Sequence, residues 1–403
     1  MIFDARAGSL GPMVSADLVR MRAGRLMRAV ADSRYSAVLA CGAENVAYAT
    51  GYRSSAGGHR RAQRMAAVVT AGAVLLVAPA ADAPAAIAGG YPQDGYVPYG
   101  SFFFDRAAGQ PLGPEAGRTA GSLPAGVRAA LDTLQIGGAV GVDEADLAPA
   151  VREALESLAP RLWLPGASDW FLRVRRSKFA EEAELLRHAA LLAQRGIVAA
   201  FSALRPGVTE RQLAAVVAQN MSAGGGRPQF VVVTTGARAA LSDVLPGDTR
   251  VRAGDLVRFD VGCSYEGYAS DIARTAVVGP PTPLQRDRYG ALEAGEAAQL
   301  AALRPGITAG DLFDIAVRTV EEHGLRPYRR HHCGHAIGMA GYETPVISPG
   351  AGTTVEPGDV YCLETPFYEL GWGGMMIEDA VCVGEHANDV FTTLGRELHE
   401  VAA

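Results

Sequence analysis

Four acidic residues in the second half of the chain stand where their side chains could hold metal ions. Asp260 and Asp271 flank a short glycine-containing segment, and Glu364 and Glu378 flank a slightly longer one. A hairpin turn at each place would bring the two carboxylates of each pair opposite each other on one face of a sheet. Four buried negative charges cannot coexist cheaply unless cations neutralise them or protons are taken up. The pattern therefore predicts divalent metal.

The fifth candidate ligand is His335, which lies in the segment 331–338 among small residues that let the backbone approach a site closely. Four carboxylates and one imidazole, shared between two ions, suit Mn, Co, Fe or Zn better than Ca or Mg. Asp260 or Glu378 taken alone is explained equally well as an ion-pair partner. Taken together with the repeat described next, the set predicts two bound divalent ions, with Mn as the first choice.

An internal repeat relates the two pairs of carboxylates. The segment Leu204–Thr209 recurs as Leu303–Thr308, and each copy ends in a threonine placed to cap a following helix. The segment Gly254–Asp260 is matched in the same way by Gly358–Glu364. Two similar helix-and-strand units indicate a duplicated domain with pseudo-two-fold symmetry, in which Asp260 and Glu364 occupy corresponding places.

The segments that carry these residues resemble those of the creatinase, prolidase and aminopeptidase P family. The resemblance implies an α+β fold: a pita-bread domain with pseudo-two-fold symmetry over residues 167–403, preceded by an α/β creatinase-like domain over residues 1–166. The similar segments are 44–52, 259–262, 267–275, 334–338, 363–366 and 377–379.

The same resemblance implies a role for each ligand. Asp271 and Glu378 would bridge the two metals, Asp260 would hold one of them, and His335 with Glu364 would hold the other. Glu364 would also accept the proton during catalysis. A protein with these roles is a metal-dependent hydrolase similar to Xaa-Pro dipeptidases and aminopeptidase P, and its substrate is a small or dipeptide-like molecule.

Three positions depart from the family pattern. Asp243 and Tyr342 stand where the peptidases have histidines, and Met376 stands where the family favours an arginine. Because a carboxylate repels an anionic substrate and attracts an amine, we do not expect ordinary Xaa-Pro cleavage. Tyr342 either acts on the substrate as a hydrogen-bond donor or general acid, or packs over the site. One of His331 and His332, with His332 as the first choice, either supports a metal ligand, supplies the missing acid/base function or is structural.

The elements that position this site form two domains. Residues 1–165 alternate short apolar runs with alanine-rich helical stretches, which is typical of an α/β layer. Pro165 and Gly166 mark the boundary before a helical pattern that starts near Ser177. The basic loop His59 to Arg64 is either a solvated turn or an arm that reaches an active site, and the habit of the family suggests the site of a neighbouring subunit in a homodimer.

The bulk composition excludes several classes of function. A net charge of -6 offers no basic field for nucleic acid. The N-terminus does not resemble a secretory signal, and the most apolar stretch, 65–81, fits a buried strand pair better than a membrane span. The 5 cysteines lack CxxC spacing, which favours reduced thiols in a cytoplasmic protein. We expect Cys333 and Cys362 to be small buried fillers.

Three functions fit the sequence. The first is a two-metal hydrolase acting on an amide or related C–N bond, and it rests on all five ligands being present. The second is a metal-dependent lyase in which Tyr342 or Asp243 accepts a proton. The third is a non-catalytic binding module, against which the complete ligand set argues.

Overall fold

The chain divides into an N-terminal and a C-terminal unit in the computed structural model, which describes residues 14–55, 64–105 and 119–402. The units are Met1–Val174 and Arg175–Ala403. The boundary lies after Val174 rather than after Gly166, because the start of the next helix is tied to the first unit. Ala167 N donates to Val142 O (2.7 Å), and Ser168 Oγ donates to Asp143 Oδ1 (2.9 Å).

The N-terminal unit is a mixed sheet with helices, as the alternation of apolar and helical stretches predicted. Its described strands follow the order β4-β3-β2-β1-β5-β6. Helix α1 begins after Ser15, whose hydroxyl accepts from Leu18 N (3.1 Å). The helices are α1 (Ala16–Ala31), α2 (Ala43–Thr50), α3 (Ala83–Ala88), α4 (Leu123–Thr133), α5 (Pro149–Glu156) and α6 (Ser168–Arg176), the last of which crosses the boundary between units; the strands are β1 (Ala37–Ala40), β2 (Ala66–Val69), β3 (Val74–Pro79), β4 (Tyr96–Tyr99), β5 (Gly138–Val142) and β6 (Leu162–Trp163).

The apolar stretch 65–81 forms the antiparallel pair β2 and β3, in which Ala66 pairs with Val77. Among the described helices, none combines the length and the apolar character that a membrane span requires. Of the basic loop His59 to Arg64, only Arg64 lies within the described residues.

The C-terminal unit is a large, mostly antiparallel sheet covered by long helices. Its main strand path is β12-β11-β13-β16-β10-β8-β7. The helices are α7 (Ala180–Ala203), α8 (Glu210–Ala223), α9 (Pro283–Ala302) and α10 (Ala309–Glu322); the strands are β7 (Arg227–Thr235), β8 (Leu256–Tyr265), β9 (Tyr268–Ala269), β10 (Ile272–Val278), β11 (Gly334–Ala336), β12 (Glu343–Val346), β13 (Val360–Glu364), β14 (Phe367–Glu369), β15 (Gly373–Met375), β16 (Glu378–Cys382), β17 (Asp389–Val390) and β18 (His399–Val401).

The internal repeat of the sequence is visible in the hydrogen bonds of this unit. Thr209 and Thr308 each cap a helix and form a capping box, with Gln212 and Asp311 three residues later. Gly207 N donates to Val251 O (2.8 Å), and the corresponding bond in the second copy runs from residue 306 to residue 355 (2.9 Å). The two copies meet where β10 pairs with β16, so the symmetry axis passes through the middle of the sheet.

The register of the two hairpins corrects one sequence-based expectation. Glu364 lies directly opposite Glu378, as predicted. Asp260, however, lies opposite Ala273, so Asp271 is a diagonal neighbour rather than a direct one. The reason is the turn: Glu266 and Gly267 both have positive φ (49° and 87°), which makes a two-residue turn and fixes the pairing of the strands that follow it.

Candidate metal centre

Three of the predicted ligands lie in one row across four neighbouring strands. Asp260 on β8 pairs with Ala273 on β10, Ala273 pairs with Glu378 on β16, and Glu378 pairs with Glu364 on β13. Side chains of directly opposite residues project from the same face of a sheet, at strand spacings of about 4.8 Å. The row therefore places three carboxylates on one face, and only the methyl group of Ala273 separates Asp260 from Glu378.

Asp271 lies immediately before β10 and two residues before Ala273. Because side chains two residues apart in extended chain project from the same face, its carboxylate lies beside the row. One oxygen each of Asp260, Asp271 and Glu378 lie within 4.8 Å of one another. His335 on β11 completes the set, since its Nε2 lies 3.6 Å from Asp271 Oδ2 and 3.9 Å from Glu378 Oε1. The structure thus brings all five predicted ligands together.

The backbone around His335 fixes which ring nitrogen faces the carboxylates. Nδ1 lies 3.0 Å from Ala336 O, an acceptor that requires a proton on Nδ1. Nε2 therefore faces Asp271 and Glu378, where it carries a proton toward Asp271 in the absence of a cation and would bind a cation in place of that proton. Gly334 allows this strand to approach its neighbour: its φ is +133°, and a Cβ there would meet Cys362 O at 2.3 Å.

Glu364 connects the buried row to a more exposed histidine. Its side chain is 6% exposed, and Oε1 lies 2.8 Å from Nε2 of His332, whose side chain is 27% exposed. His332 Nδ1 in turn lies 3.0 Å from Nδ1 of the exposed His331. Of the two histidines that precede the ligand segment, His332 is therefore the one that touches the site.

The protonation of the carboxylates reflects their crowding. Burial, followed by the negative charge of Asp271, raises the pKa of Asp260 to about 8. Burial and the charges of Asp271, Glu364 and Asp260 likewise hold the pKa of Glu378 well above its usual range. Burial alone would lower the pKa of His335, but its hydrogen bond with Asp271 and the nearby negative charges outweigh that effect and raise it. Without cations, the cluster therefore retains protons that carboxylates normally lose.

Two oxygens of the cluster show that it fits cations. Asp271 Oδ1 and Glu378 Oε2 are buried and have no hydrogen-bond partner among the described residues. A buried carboxylate oxygen without a partner costs free energy unless a cation or proton occupies the space beside it. These two oxygens belong to the two residues that the family resemblance implies as bridging ligands, and carboxylate oxygens with an imidazole nitrogen are donors that suit divalent cations.

The other predicted catalytic residues lie at the edge of this cluster. Tyr342 is 51% exposed, and its ring stacks on that of His335 with 4.0 Å between centroids. Glu343 holds the backbone next to Tyr342, because its buried carboxylate pairs with Lys178 (3.3 Å) and Arg175 (3.4 Å). Asp243 is exposed, accepts a hydrogen bond from Ser242 Oγ (3.0 Å), and adds to the negative potential at Asp260.

The sequence did not single out two residues that the structure places in or beside the cluster. Cys362 was expected to be a buried filler, and it is fully buried, but its sulfur lies within 4.8 Å of ligand atoms of His335 and Glu378. The signal for this was its position two residues before Glu364 on the same strand. Arg258 contacts Asp260 directly (2.8 Å), and it has the same relation to Asp260 in the sequence.

A buried ionic cluster on the opposite face supports the strand pair that carries Glu378. Asp379 is fully buried and pairs with Arg274 (2.6 Å) and Arg396 (2.5 Å). Arg274 also donates to the backbone oxygen of Glu378 (2.8 Å). This arrangement fixes β10 against β16 at the point where the two repeats meet.

Comparison with known proteins places the chain among metallopeptidases. The model of metallopeptidase family M24 matches residues 184–385, half of the chain's 403 residues. A Xaa-Pro dipeptidase of Pyrococcus furiosus is 35% identical over 229 residues, and the matched segment covers 56% of this chain and 65% of that protein. The match with this curated relative thus spans slightly less than two thirds of its length.

Solved structures extend the similarity to both units. The prolidase from Pyrococcus furiosus has a TM-score of 0.75 and 26% identity, covering 92% of this chain and 100% of that one. The dipeptidase PepE from Mycobacterium ulcerans has a TM-score of 0.76 and 26% identity, covering 96% of this chain and 99% of that one. The expected α+β architecture with a pita-bread domain is confirmed.

Proposed function

The chain belongs to metallopeptidase family M24, and we propose that it is a two-metal hydrolase that cleaves an amide or related C–N bond of a small, dipeptide-like substrate. The observation that carries this proposal is the row of carboxylates with its two buried, unpartnered oxygens on Asp271 and Glu378. Burying carboxylates beside one another costs free energy, and a non-catalytic module gains nothing from that arrangement.

The proposed ligand roles are those that the resemblance to the family implies, and the closeness of the five side chains supports them. Asp271 and Glu378 lie between the other ligands and would be shared by both cations. Asp260 would complete one coordination sphere, and His335 with Glu364 the other. Carboxylates with one imidazole favour Mn, Fe, Co or Zn over Ca or Mg, with Mn as first choice. When bound, such cations polarise a substrate carbonyl and lower the pKa of water near them.

The side chains of the protein would handle the proton. Glu364 lies at the end of β13, where it would accept the proton of the attacking water and pass it to the leaving nitrogen. His332, hydrogen-bonded to Glu364 at 2.8 Å, would keep the carboxylate oriented. Tyr342 lies over His335, where its hydroxyl would donate a hydrogen bond to the substrate.

The negative charge of Asp243 favours one class of substrate over another. The relatives called Xaa-Pro dipeptidase act, as that name says, on dipeptides. The exposed carboxylate of Asp243 repels a substrate carboxylate and favours a neutral or amine-bearing group in its place. We therefore propose that this enzyme prefers a substrate whose C-terminal side is neutral, such as a dipeptide amide.

Turnover on matched substrate pairs tests the proposal. The protein, stripped with chelator and reloaded with Mn²⁺, is assayed on Xaa-Pro dipeptides and on the corresponding dipeptide amides. We expect activity only after reloading, and a higher kcat/KM for the amides. The matched variant Asp243→Asn should narrow the difference between the two substrates. Efficient cleavage of free Xaa-Pro dipeptides, unaffected by the variant, would contradict the proposed substrate class while leaving a two-metal hydrolase intact.

Solvent labelled with ¹⁸O separates hydrolysis from elimination. A hydrolase incorporates one solvent oxygen into the acyl product, whereas a lyase incorporates none. If the Mn²⁺-loaded protein forms unlabelled product, the proposed hydrolase function is wrong, and the metal-dependent lyase considered in the sequence analysis takes its place.

Assembly and compartment are further parts of the proposal. We propose a homodimer in which His59 to Arg64 reaches the neighbouring site, supported by the basic character of the loop and by the habit of the family. Replacing Arg60 and Arg61 by alanine and finding unchanged kinetics would remove that contribution. The free cysteines agree with a reducing compartment, as in the cytoplasm.

A further inference from the structure

Arg258 is a buried arginine next to the proposed metal centre. It lies on β8 two residues before Asp260, and its side chain is fully buried. Its Nη1 donates to Asp260 Oδ2 at 2.8 Å. The remaining donors bind three backbone oxygens of the segment 239–242, with Nε to Ala239 (3.2 Å) and Nη2 to Leu241 (2.8 Å) and Ser242 (2.6 Å). One guanidinium thus binds a metal-ligand candidate and a loop at the same time.

The side chain of Met376 lies beside the guanidinium of Arg258. Arg258, Thr275 and Met376 lie side by side on β8, β10 and the segment that leads into β16: Arg258 pairs with Thr275, whose hydroxyl bonds both backbone groups of Met376. Nη1 of Arg258 is 3.9 Å from the sulfur of Met376. The ring of Tyr368 covers the guanidinium at 5.2 Å, which separates it from solvent.

We propose that Arg258 is a positioning residue for the metal centre, which holds Asp260 from β8, and that an arginine introduced at position 376, whose sulfur now lies 3.9 Å from Nη1, would reach the same carboxylate. The guanidinium binds one oxygen of Asp260, which leaves the other oxygen for a cation. Its fork of fixed donors is suited to this task, because it binds the carboxylate and the loop in one rigid geometry.

The contacts with the loop give Arg258 a second effect. The three backbone oxygens that it binds belong to the residues immediately before Asp243, the residue that we assign to substrate selection. The position of Asp243 therefore depends on the same guanidinium that orients Asp260. The two departures from the family pattern, at Met376 and at Asp243, thus both lie next to the side chain of Arg258.

A set of four variants tests this inference, which rests on the proposed metal centre. The variants are R258L, R258K, M376R and the double variant R258L/M376R, with the exposed Arg304→Leu as control. Each is prepared full-length and metal-free, its folding is checked by circular dichroism and thermal melting in chelator, and its affinity for MnCl₂ is measured by titration calorimetry.

Loss of an orienting partner typically lowers metal affinity about 10–100-fold. We expect R258L to show that loss, R258K a smaller one, and M376R a loss because two guanidiniums compete for one place. The double variant should recover most of the affinity, and Arg304→Leu should match the wild type.

The opposing effect is electrostatic, because removing a positive charge near the centre favours cation binding. Tighter or unchanged Mn²⁺ binding by R258L would mean that repulsion, not positioning, dominates, and would overturn the inference. So would a folded double variant that binds no better than R258L. If R258L does not fold, R258K carries the test, and wild-type affinity in R258K would likewise overturn it. A wild-type protein that binds no Mn²⁺ would instead remove the proposed function itself.

Discussion

Removing the cations should give the C-terminal unit an unusual dependence of stability on pH. Its origin is Asp260, whose pKa is raised from 3.8 to about 8 by burial and by Asp271. Between these two values the folded protein without metal holds a proton that the unfolded chain has released. Because the folded-state pKa is the higher one, this contribution to stability is complete below pH 3.8 and is lost as the pH rises to about 8.

The size of the effect follows from one proton. Each pH unit in this window should lower the free energy of unfolding by about 1.4 kcal/mol per retained proton, so Asp260 alone accounts for about 3 kcal/mol between pH 5 and pH 7. The pKa of Glu378 is raised by the same causes and acts in the same direction. Saturating Mn²⁺ should remove this decline, since cations bind the deprotonated carboxylates and compete with protons.

Urea unfolding at several pH values measures the slope directly. Replacing Trp163 and Trp170 by phenylalanine leaves Trp372 as the single tryptophan, so that its fluorescence reports on the C-terminal unit. The variant Asp260→Asn serves as the control, because it should lose about 1.4 kcal/mol per pH unit of the slope, whatever its absolute stability. A metal-free protein whose stability is flat or rises between pH 5 and pH 7, or equal slopes for Asp260→Asn and its parent, would refute the reasoning.

Three further substitutions separate the roles of residues around the centre. His332→Ala should lower kcat about tenfold or more through its lost contact with Glu364, with Mn²⁺ still bound, as steady-state kinetics and metal analysis can check; unchanged kcat would make His332 structural. Tyr342→Phe keeps the stacking on His335 and loses only the hydroxyl. If kcat falls as much in this variant as in Tyr342→Ala, the role of Tyr342 is to donate a hydrogen bond. If Tyr342→Phe is fully active, the role of Tyr342 is packing. Asp379→Asn should lower the free energy of unfolding by about 3–5 kcal/mol, because it leaves the buried Arg274 without its charged partner, whereas the partly exposed Arg396 keeps Glu296 (3.0 Å). Urea unfolding that shows a change below about 1 kcal/mol would contradict that role.

The sequence predicted the architecture and the ligand set because both depend on repeated patterns. Thr209 and Thr308 cap two equivalent helices, and the matched segments 254–260 and 358–364 place Asp260 in the middle of β8 and Glu364 at the end of β13. A duplicated domain with a carboxylate at each equivalent place leaves few arrangements other than a shared centre. The position of His335 relative to these carboxylates followed from the resemblance rather than from spacing.

Details that depend on turn geometry and on contacts between strands could not be predicted in this way. The diagonal placement of Asp271 results from positive φ at both Glu266 and Gly267, and a shift of two residues in register is not visible in the pattern of residue types. Arg258 was missed because the neighbour that it meets, Met376, is 118 residues away along the chain. The one local signal for Arg258 was its position two residues before Asp260 on the same strand.

The boundary between the two units lies after Val174 and not after Gly166 as expected, because it too depends on contacts that residue types do not reveal. Pro165 and Gly166 interrupt the chain as predicted by their residue types, but Ala167 and Ser168 still bond to the N-terminal unit. A break in local structure does not require that the contacts of one unit end at that point.

Elemental analysis of purified, catalytically active protein tests the central claim most directly. The crowded carboxylates and His335 should hold two divalent transition-metal ions per chain, and activity should disappear with chelation and return on adding Mn²⁺. Active protein that contains no stoichiometric transition metal would contradict the account.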